Sequence, residues 1–266
     1  MERETMMQKE NAAGHENHEQ RKKEDFAREQ GIMDKIKTEG FKNYAETLPN
    51  LAESFDLSKH QLDDFEHCIC CMDGRLDKGI HSAGSTILLS PADRKTYMQV
   101  AQPDAISSHD GCGAGKIYCR AHGLPEENSD QIARELAEEI AKEYGLPHRH
   151  ISAAEMKKNH VERVCYWDAS GRINNDSDSG LPNGFVVSRG FMNKENCLAE
   201  AGVALDIIFG DHGFGRELFS ADNPFIIAAV AGDENQLAEM QAEISELKHP
   251  YGDIVKIDGF IFKLPE

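Results

Sequence analysis

Apolar positions change their spacing along the chain, and this spacing predicts helices that alternate with strands. Over residues 26–51 apolar side chains recur at helical intervals, and Gly40 interrupts them. This pattern predicts two amphipathic helices that pack on the core or on a partner subunit. The clearest helical stripe runs from Ser129, the expected N-cap, to Gly145, which is expected to end the helix.

Short apolar and β-branched runs predict strands between the helices. We expect strands at 63–70, 84–90, 103–110, 185–189, 204–209, 224–230 and 254–262, and further helices at 113–123, 194–202 and 233–247. Residues 161–173 predict a hairpin with Asp-Ala-Ser-Gly as its turn. The alternation makes the chain an α/β protein in which no internal repeat is evident. Two successive β-α-β units after residue 180 favour a ferredoxin-like layout there.

Composition changes divide the chain into three predicted parts. Residues 1–60 should form an N-terminal helical arm whose polar first 25 residues are disordered or form a solvated helix. A cluster of turn-forming residues at 174–184 suggests a boundary, so that 61–178 form one α/β unit. Residues 179–266 then form a C-terminal α/β extension.

Charge and cysteine usage narrow the classes of function. The 266 residues carry a formal net charge of −18, which makes nucleic acid and anionic membranes poor partners. Apolar runs stay shorter than the ~20 residues that span a bilayer, and the N-terminus lacks the apolar segment of a secretory signal. We therefore expect a cytoplasmic protein. Its seven clustered cysteines are then metal ligands or buried thiols rather than disulfides.

Candidate chemistry concentrates in two loops that follow predicted strands. The first loop reads CMDGR over 71–75, and the second reads HDGCGA over 109–114. Two thiolates and one imidazole, from Cys71, His109 and Cys112, suit zinc. Arg75 could hold the carboxylate of Asp73 by a charge-assisted hydrogen bond. That carboxylate could orient a metal-bound water or become a fourth zinc ligand, and the sequence leaves both roles open.

These two motifs resemble the motif pair of the beta-class carbonic anhydrases. In that family Cys-x-Asp-x-Arg is followed by His-x-x-Cys-Gly, as in this chain. The segment IHSAGSTIL at 80–88 is similar to the family's Arg-Asn-Ala-Gly segment, and VCYWDASGRI at 164–173 is similar to its Tyr-Asp-x-x-x-Gly hairpin. The resemblance covers roughly 60–178. The chain departs from the pattern in a shorter stretch between the motifs, in His81 and Ser82, and in its C-terminal region.

The resemblance implies a fold, a metal, an activity and an assembly. Cys71, His109 and Cys112 would bind Zn²⁺, and Asp73 with Arg75 would form the catalytic dyad. Zinc-bound hydroxide would attack carbon dioxide to give bicarbonate reversibly. The fold would be a carbonic-anhydrase-like α/β sheet with flanking helices. The chain would form a homodimer or a higher homo-oligomer, with the N-terminal helices embracing a neighbouring subunit.

Two other functions remain compatible with the same residues. The zinc site could hydrolyse an analogue of carbon dioxide, such as carbonyl sulfide or carbon disulfide. Alternatively, the protein could be a non-catalytic zinc protein whose C-terminal part binds a partner.

The remaining polar and cysteine positions have simpler expected roles. Cys68 and Cys70 are expected in a strand, with a role as alternative ligands less favoured. Three further cysteines are expected as buried small apolar residues: Cys119, Cys165 and Cys197. Asp211 and His212 lie in a glycine-rich segment that is either a simple turn or a second polar loop near the active site.

Overall fold

The computed structural model describes residues 23–59, 61–76, 78–156, 158–174, 179–210, 215 and 217–262. Asp211 and His212 lie outside this range, as does the polar segment 1–22. Within it the chain is an α/β protein with two parallel four-stranded sheets flanked by helices. This confirms the predicted fold class at that level.

The elements follow one another in a regular alternation. Helix α1 covers residues 23–39, and α2 is Phe41–Glu46. The elements of the first sheet are β1 Cys68–Cys70, β2 Ile80–His81, α3 Pro91–Ala101, β3 Ala105–His109, α4 Gly113–His122, α5 Ser129–Tyr144 and β4 His148–Ile151. The elements of the second sheet are β5 Val164–Asp168, β6 Gly184–Val187, α6 Lys194–Phe209, β7 Phe225–Ala231, α7 Glu234–Ile244 and β8 Val255–Ile261. Short 3₁₀ turns are Leu51–Phe55, Leu57–Lys59, Ala83–Thr86, Glu126–Asn128, Ser245–Lys248 and Gly252–Ile254.

Both sheets have the same strand order. The first runs β2-β1-β3-β4 and the second β6-β5-β7-β8, with every pairing parallel. We call the part that carries β1–β4 the first half and the part that carries β5–β8 the second half. In each half, the first strand pairs with the second and third. The fold thus repeats a topology that was not evident in the sequence.

Helix ends follow the local sequence closely. The prediction of helices at 113–123 and 129–145 is confirmed by α4 and α5, which end at Gly123 and Gly145. Both glycines have left-handed φ values, 66° and 68°, which a residue without Cβ adopts at little cost. Asn128 rather than Ser129 stands at the N-cap of α5, so that boundary moves by one residue.

Two predicted strands are wrong. Residues 84–90 overlap the turn Ala83–Thr86, in which Gly84 and Ser85 have φ values of 59° and 56°, so an extended strand is not possible there. Residues 204–209 are the last part of α6, which is continuous from Lys194 to Phe209. A short apolar run fits a buried helix as well as a buried strand, so spacing alone did not separate them.

The predicted hairpin at 161–173 and the ferredoxin-like layout are also wrong. Strand β5 lies inside the second sheet, where Val164 pairs with both Gly184 and Ile226. The C-terminal strands therefore join a parallel sheet through β5, whereas hairpins and ferredoxin-like sheets are antiparallel. A parallel pairing requires a crossover connection, which α6 and α7 supply.

The N-terminal helices cover one face of the second sheet. Phe41 packs on Phe260 with ring centroids 5.2 Å apart, and both are fully buried. The cluster on this face also contains Met33, Ile36, Tyr44, Tyr166, Val186, Ala228 and Val230. Burying each large apolar side chain contributes about 1.5–3 kcal/mol. The apolar face of residues 26–51 is thus used within the chain, and the homodimer stays a prediction.

The opposite face of the second sheet belongs to the main core, which joins both halves. Trp167 and Ile227 share this core with Ile69 and Ile106 of the first sheet. A backbone hydrogen bond from Val186 N to Met72 O, 3.2 Å long, also links the halves. Among the described helices, none is both long and apolar enough to cross a membrane.

Candidate metal centre

Three ligand-type side chains meet at one end of the first sheet. Cys71 directly follows β1, His109 ends the neighbouring β3, and Cys112 precedes α4. Because β1 and β3 are parallel neighbours, their carboxyl ends lie together. The two Sγ atoms are 3.9 Å apart, and all three ligand atoms lie within 4.8 Å of one another. This buried group could hold a metal ion.

The orientation of His109 fits metal binding. Its Nδ1 lies 2.9 Å from the carbonyl oxygen of Asp110, which can only accept, so Nδ1 carries the proton. The other nitrogen, Nε2, is buried and lies 4.0 Å from Asp73 Oδ2. A backbone partner that fixes the ring in this way is the usual outer contact of a metal-ligating histidine.

The backbone around Cys112 is held from α5. Asp130 Oδ1 accepts hydrogen bonds from Gly111 N at 3.0 Å and from Cys112 N at 3.3 Å. The hydrogen bond with Cys71 lowers the pKa of the Cys112 thiol, and the N–H of Gly115 at the start of α4 adds to this. The same contact with Cys112, together with burial, raises the pKa of Cys71 well above its usual range.

Protons must therefore leave when a metal ion binds. Burial disfavours the charged form of His109, but the nearby Cys71 and Asp73 outweigh it and raise the pKa of His109 to about 9. A metal takes neutral imidazole and thiolate, so it would displace protons from His109 and from Cys71. Metal affinity should consequently increase with pH.

Asp73, which is buried, and Arg75, which is partly buried, form an ion pair beside the three ligands. Arg75 Nη2 donates to Asp73 Oδ2 at 2.7 Å, and Arg75 Nε donates to Oδ1 at 3.0 Å. Arg75 Nη2 also donates to Gly111 O at 3.1 Å, which ties the pair to the second loop. Burial raises the pKa of Asp73, but the bonds from Arg75 and the charge of His109 prevail and hold it well below its usual range. Asp73 is thus ionised, and its Oδ2 lies 4.0 Å from His109 Nε2.

A cavity borders the site at Arg75. A cavity of about 430 Å³ lies against Arg75, Leu76, Arg149, Ile151 and Met156. Its described lining does not include Cys71, His109 or Cys112, which are only 1–3% exposed. The cavity therefore meets the site at the guanidinium group and not at the ligand atoms.

The second half contributes residues that sequence reasoning missed. Asp73, His160 and Glu162 form a second group of ligand-type atoms within 4.8 Å of one another. Glu162 is buried and accepts from His160 Nδ1 at 3.1 Å. Both residues precede β5 and are far from Asp73 in sequence, so spacing gave no signal of this contact.

The other sequence candidates lie around the centre or away from it. His81 Nδ1 is 2.9 Å from Cys71 O, and Ser82 Oγ donates to Glu200 Oε1. Cys68 and Cys70 lie in β1, outside the groups of described residues that could hold a metal. Three further cysteines are fully buried, as expected: Cys119, Cys165 and Cys197.

Comparisons with known proteins found no matching family model, no matching curated protein and no matching solved structure. The fold and the site therefore define the class of protein by themselves. It is an α/β protein of two parallel sheets with a buried Cys-His-Cys group that could hold a metal.

Proposed function

We propose that the protein binds one zinc ion through Cys71, His109 and Cys112 and catalyses the reversible hydration of carbon dioxide. The observation that carries the proposal is the largely buried Asp73–Arg75 pair beside the ligand atoms, with Asp73 Oδ2 4.0 Å from His109 Nε2. A purely structural zinc site has no use for such a pair. The resemblance of both motifs to those of the beta-class carbonic anhydrases supports the same activity.

The chain's own residues would share the work around the metal. When bound, zinc supplies Lewis-acid activation of water for attack on carbon dioxide. Asp73 is ionised and can accept a hydrogen bond from a water molecule next to the ligand atoms, which orients that water. Arg75 holds the carboxylate through two donors, and its bond to Gly111 O fixes the loop that carries Cys112. This geometry supports the orienting role of Asp73 over ligation.

The proposal predicts a rising pH profile. Two thiolates and a neutral imidazole would cancel the double positive charge of zinc. The pKa of water activated at this site should therefore be higher than the value of about 7 at a three-histidine site. Initial rates of hydration, followed with a pH indicator on metal-quantified protein, should increase from about pH 6.5 to 9. Cys112→Ser, which removes a ligand, serves as the inactive control. A flat or falling profile would contradict the mechanism.

The burial of all three ligands favours a second candidate, a non-catalytic metal site. Zinc-loaded protein that hydrates no carbon dioxide at any pH would support it. Hydrolysis of carbonyl sulfide, measured as release of hydrogen sulfide from the same preparation, would instead indicate the related hydrolase activity.

A further inference from the structure

The backbone after β2 adopts a conformation that its residues rarely accept. Gly84, Ser85 and Thr86 have successive φ values of 59°, 56° and 78°. Ser85 carries a Cβ atom, and Thr86 is β-branched, so positive φ is unfavourable at both positions. All three residues are buried. Such a turn persists only where its surroundings fix it in more than one way.

This turn contacts a metal-ligating residue. The backbone N–H of Gly84 points to Cys71 Sγ, and the N–S distance is 3.3 Å. A hydrogen bond from an N–H group stabilises a thiolate relative to a thiol. This N–H lies in the peptide plane that joins Ala83 to Gly84, so its direction depends on how Ala83 is held.

The turn is fixed from the second half of the chain. Glu200, on α6, accepts from Ser82 Oγ at 2.6 Å and from Ala83 N at 2.9 Å, both through Oε1. Glu200 is 2% exposed, and its Oε2 has no hydrogen-bond partner among the described residues. Burying a carboxyl group costs free energy, and its hydrogen bonds to Ser82 and Ala83 offset part of that cost.

We infer that Glu200 is a positioning residue for the metal centre. It acts across the two halves through Ser82 and the first residues of the turn Ala83–Thr86. Glu200 holds Ser82 and Ala83, and this keeps the Gly84 N–H directed at Cys71 Sγ. The second half thereby completes a centre whose ligands all lie in the first half. The inference rests on the metal site of the proposed function but not on its substrate.

Cobalt(II) added to the metal-free full-length chain tests the inference. Cobalt reports thiolate ligation through its charge-transfer absorption, and titration gives its affinity. Glu200→Gln keeps an oxygen acceptor for Ser82 and Ala83, so the parent spectrum and affinity should be retained. Glu200→Ala removes the acceptor, so the charge-transfer band should shift and the affinity should fall about 10–100-fold, as for other outer contacts of metal ligands.

A matched control separates positioning from general loosening of the core. Cys165→Ala removes a fully buried thiol from β5, close enough to Glu200 to feel its charge, but leaves the hydrogen bonds of Ser82 and Ala83 to Glu200 in place, so its cobalt spectrum should equal the parent's. If Glu200→Ala does not fold, Ser82→Ala replaces it, since that variant removes one of the two donors. It should show the same band shift with a smaller loss of affinity.

Several outcomes would overturn the inference. Glu200→Ala with the parent's spectrum and affinity would do so, as would equal losses in Glu200→Ala and Cys165→Ala. If Ser82→Ala has to be used, an unchanged spectrum there has the same meaning. A parent protein without a thiolate-to-cobalt band would overturn the inference together with the metal site. Normal cobalt binding without carbon dioxide hydration would remove the proposed activity and leave the positioning role intact.

Discussion

The two halves have the same strand order, but the carboxyl ends of their strands carry different chemistry. In the first half, Cys71 follows β1 and His109 ends β3. In the second half, β5 ends at Asp168 and β7 ends at Ala231. Asp168 is fully buried and accepts from Ser170 N at 2.9 Å and from Ile173 N at 2.8 Å. The strand ends of the first sheet could hold a metal, whereas Asp168 at the end of β5 fixes the loop that follows it.

The difference shows that topology provides a place for a site and side chains decide its use. The second half has a supporting role instead. Gly74 of the first half packs against it so closely that a Cβ atom would lie 2.7 Å from Glu162 Cγ. Glu200 and the bond between Val186 and Met72 add further contacts.

The largest expected effect comes from making the first half resemble the second. His109→Ala gives β3 the alanine with which β7 ends at Ala231. Because two thiolates alone do not provide a stable zinc site, zinc should fall from about one ion per chain to a small fraction of that. Elemental analysis of purified protein measures this, with Cys165→Ala in the second sheet as the control that keeps its metal. Unchanged zinc in His109→Ala would show that the metal lies elsewhere.

The second prediction compares the two Gly-Arg loops. Asp73-Gly74-Arg75 follows β1, and Ser170-Gly171-Arg172 follows β5. Asp73→Asn retains the shape but not the charge that orients water, so hydration should fall about 100-fold or more while zinc is kept. Ser170→Ala in the second half should leave the rate unchanged. An Asp73→Asn variant with full activity is incompatible with the proposed role of the pair.

The third prediction concerns the pH dependence of stability at the contact between the halves. Burial raises the pKa of Glu200 to about 7, above that of an exposed glutamate, so the folded state binds this proton more tightly than the unfolded state. The contribution of the group to stability is complete below the unfolded pKa and is lost as pH rises through about 7. Glu200→Gln stays neutral and should therefore exceed the parent in free energy of unfolding by roughly 1–3 kcal/mol at about pH 8.

Urea unfolding of the metal-free proteins at about pH 5 and pH 8 measures this difference. The exposed Glu195 on the same helix provides the control, since Glu195→Gln should follow the parent at both values. Buried Asp168, whose pKa burial raises to about 6, gives a similar trend in both proteins and cancels in the comparison. If Glu200→Gln loses as much free energy of unfolding as the parent between about pH 5 and pH 8, Glu200 is not the source of the pH dependence.

The last prediction compares two glycines, one inside and one outside the contact between the halves. At Gly74 an added Cβ would lie 2.7 Å from Glu162 Cγ and 2.8 Å from Gly184 O, so Gly74→Ala should cost about 1–3 kcal/mol of unfolding free energy. Gly202 lies in α6 with no atom within 4 Å of such a Cβ, so Gly202→Ala should gain about 0.8–1.0 kcal/mol. Urea unfolding compares the two. A Gly74→Ala variant with the parent's free energy of unfolding would indicate that the halves are packed less closely.

The sequence alone determined the local features of this protein. Gly123 and Gly145 marked the ends of two helices, because left-handed backbone at a helix end favours glycine in any fold. The types and order of Cys71, His109 and Cys112 indicated a metal site, since soft thiolates and imidazole suit few other roles in such an arrangement. The alternation of helices and strands gave the α/β class.

Tertiary structure alone decided which elements are neighbours. Residues 164–168 became an inner strand rather than one arm of a hairpin, and 204–209 continued a helix, because burial on all sides removes the periodicity that separates the two. The contact of Glu200 with the turn after β2 joins residues 118 positions apart. Such contacts depend on how sheets and helices pack, and spacing along the chain carries no record of that packing.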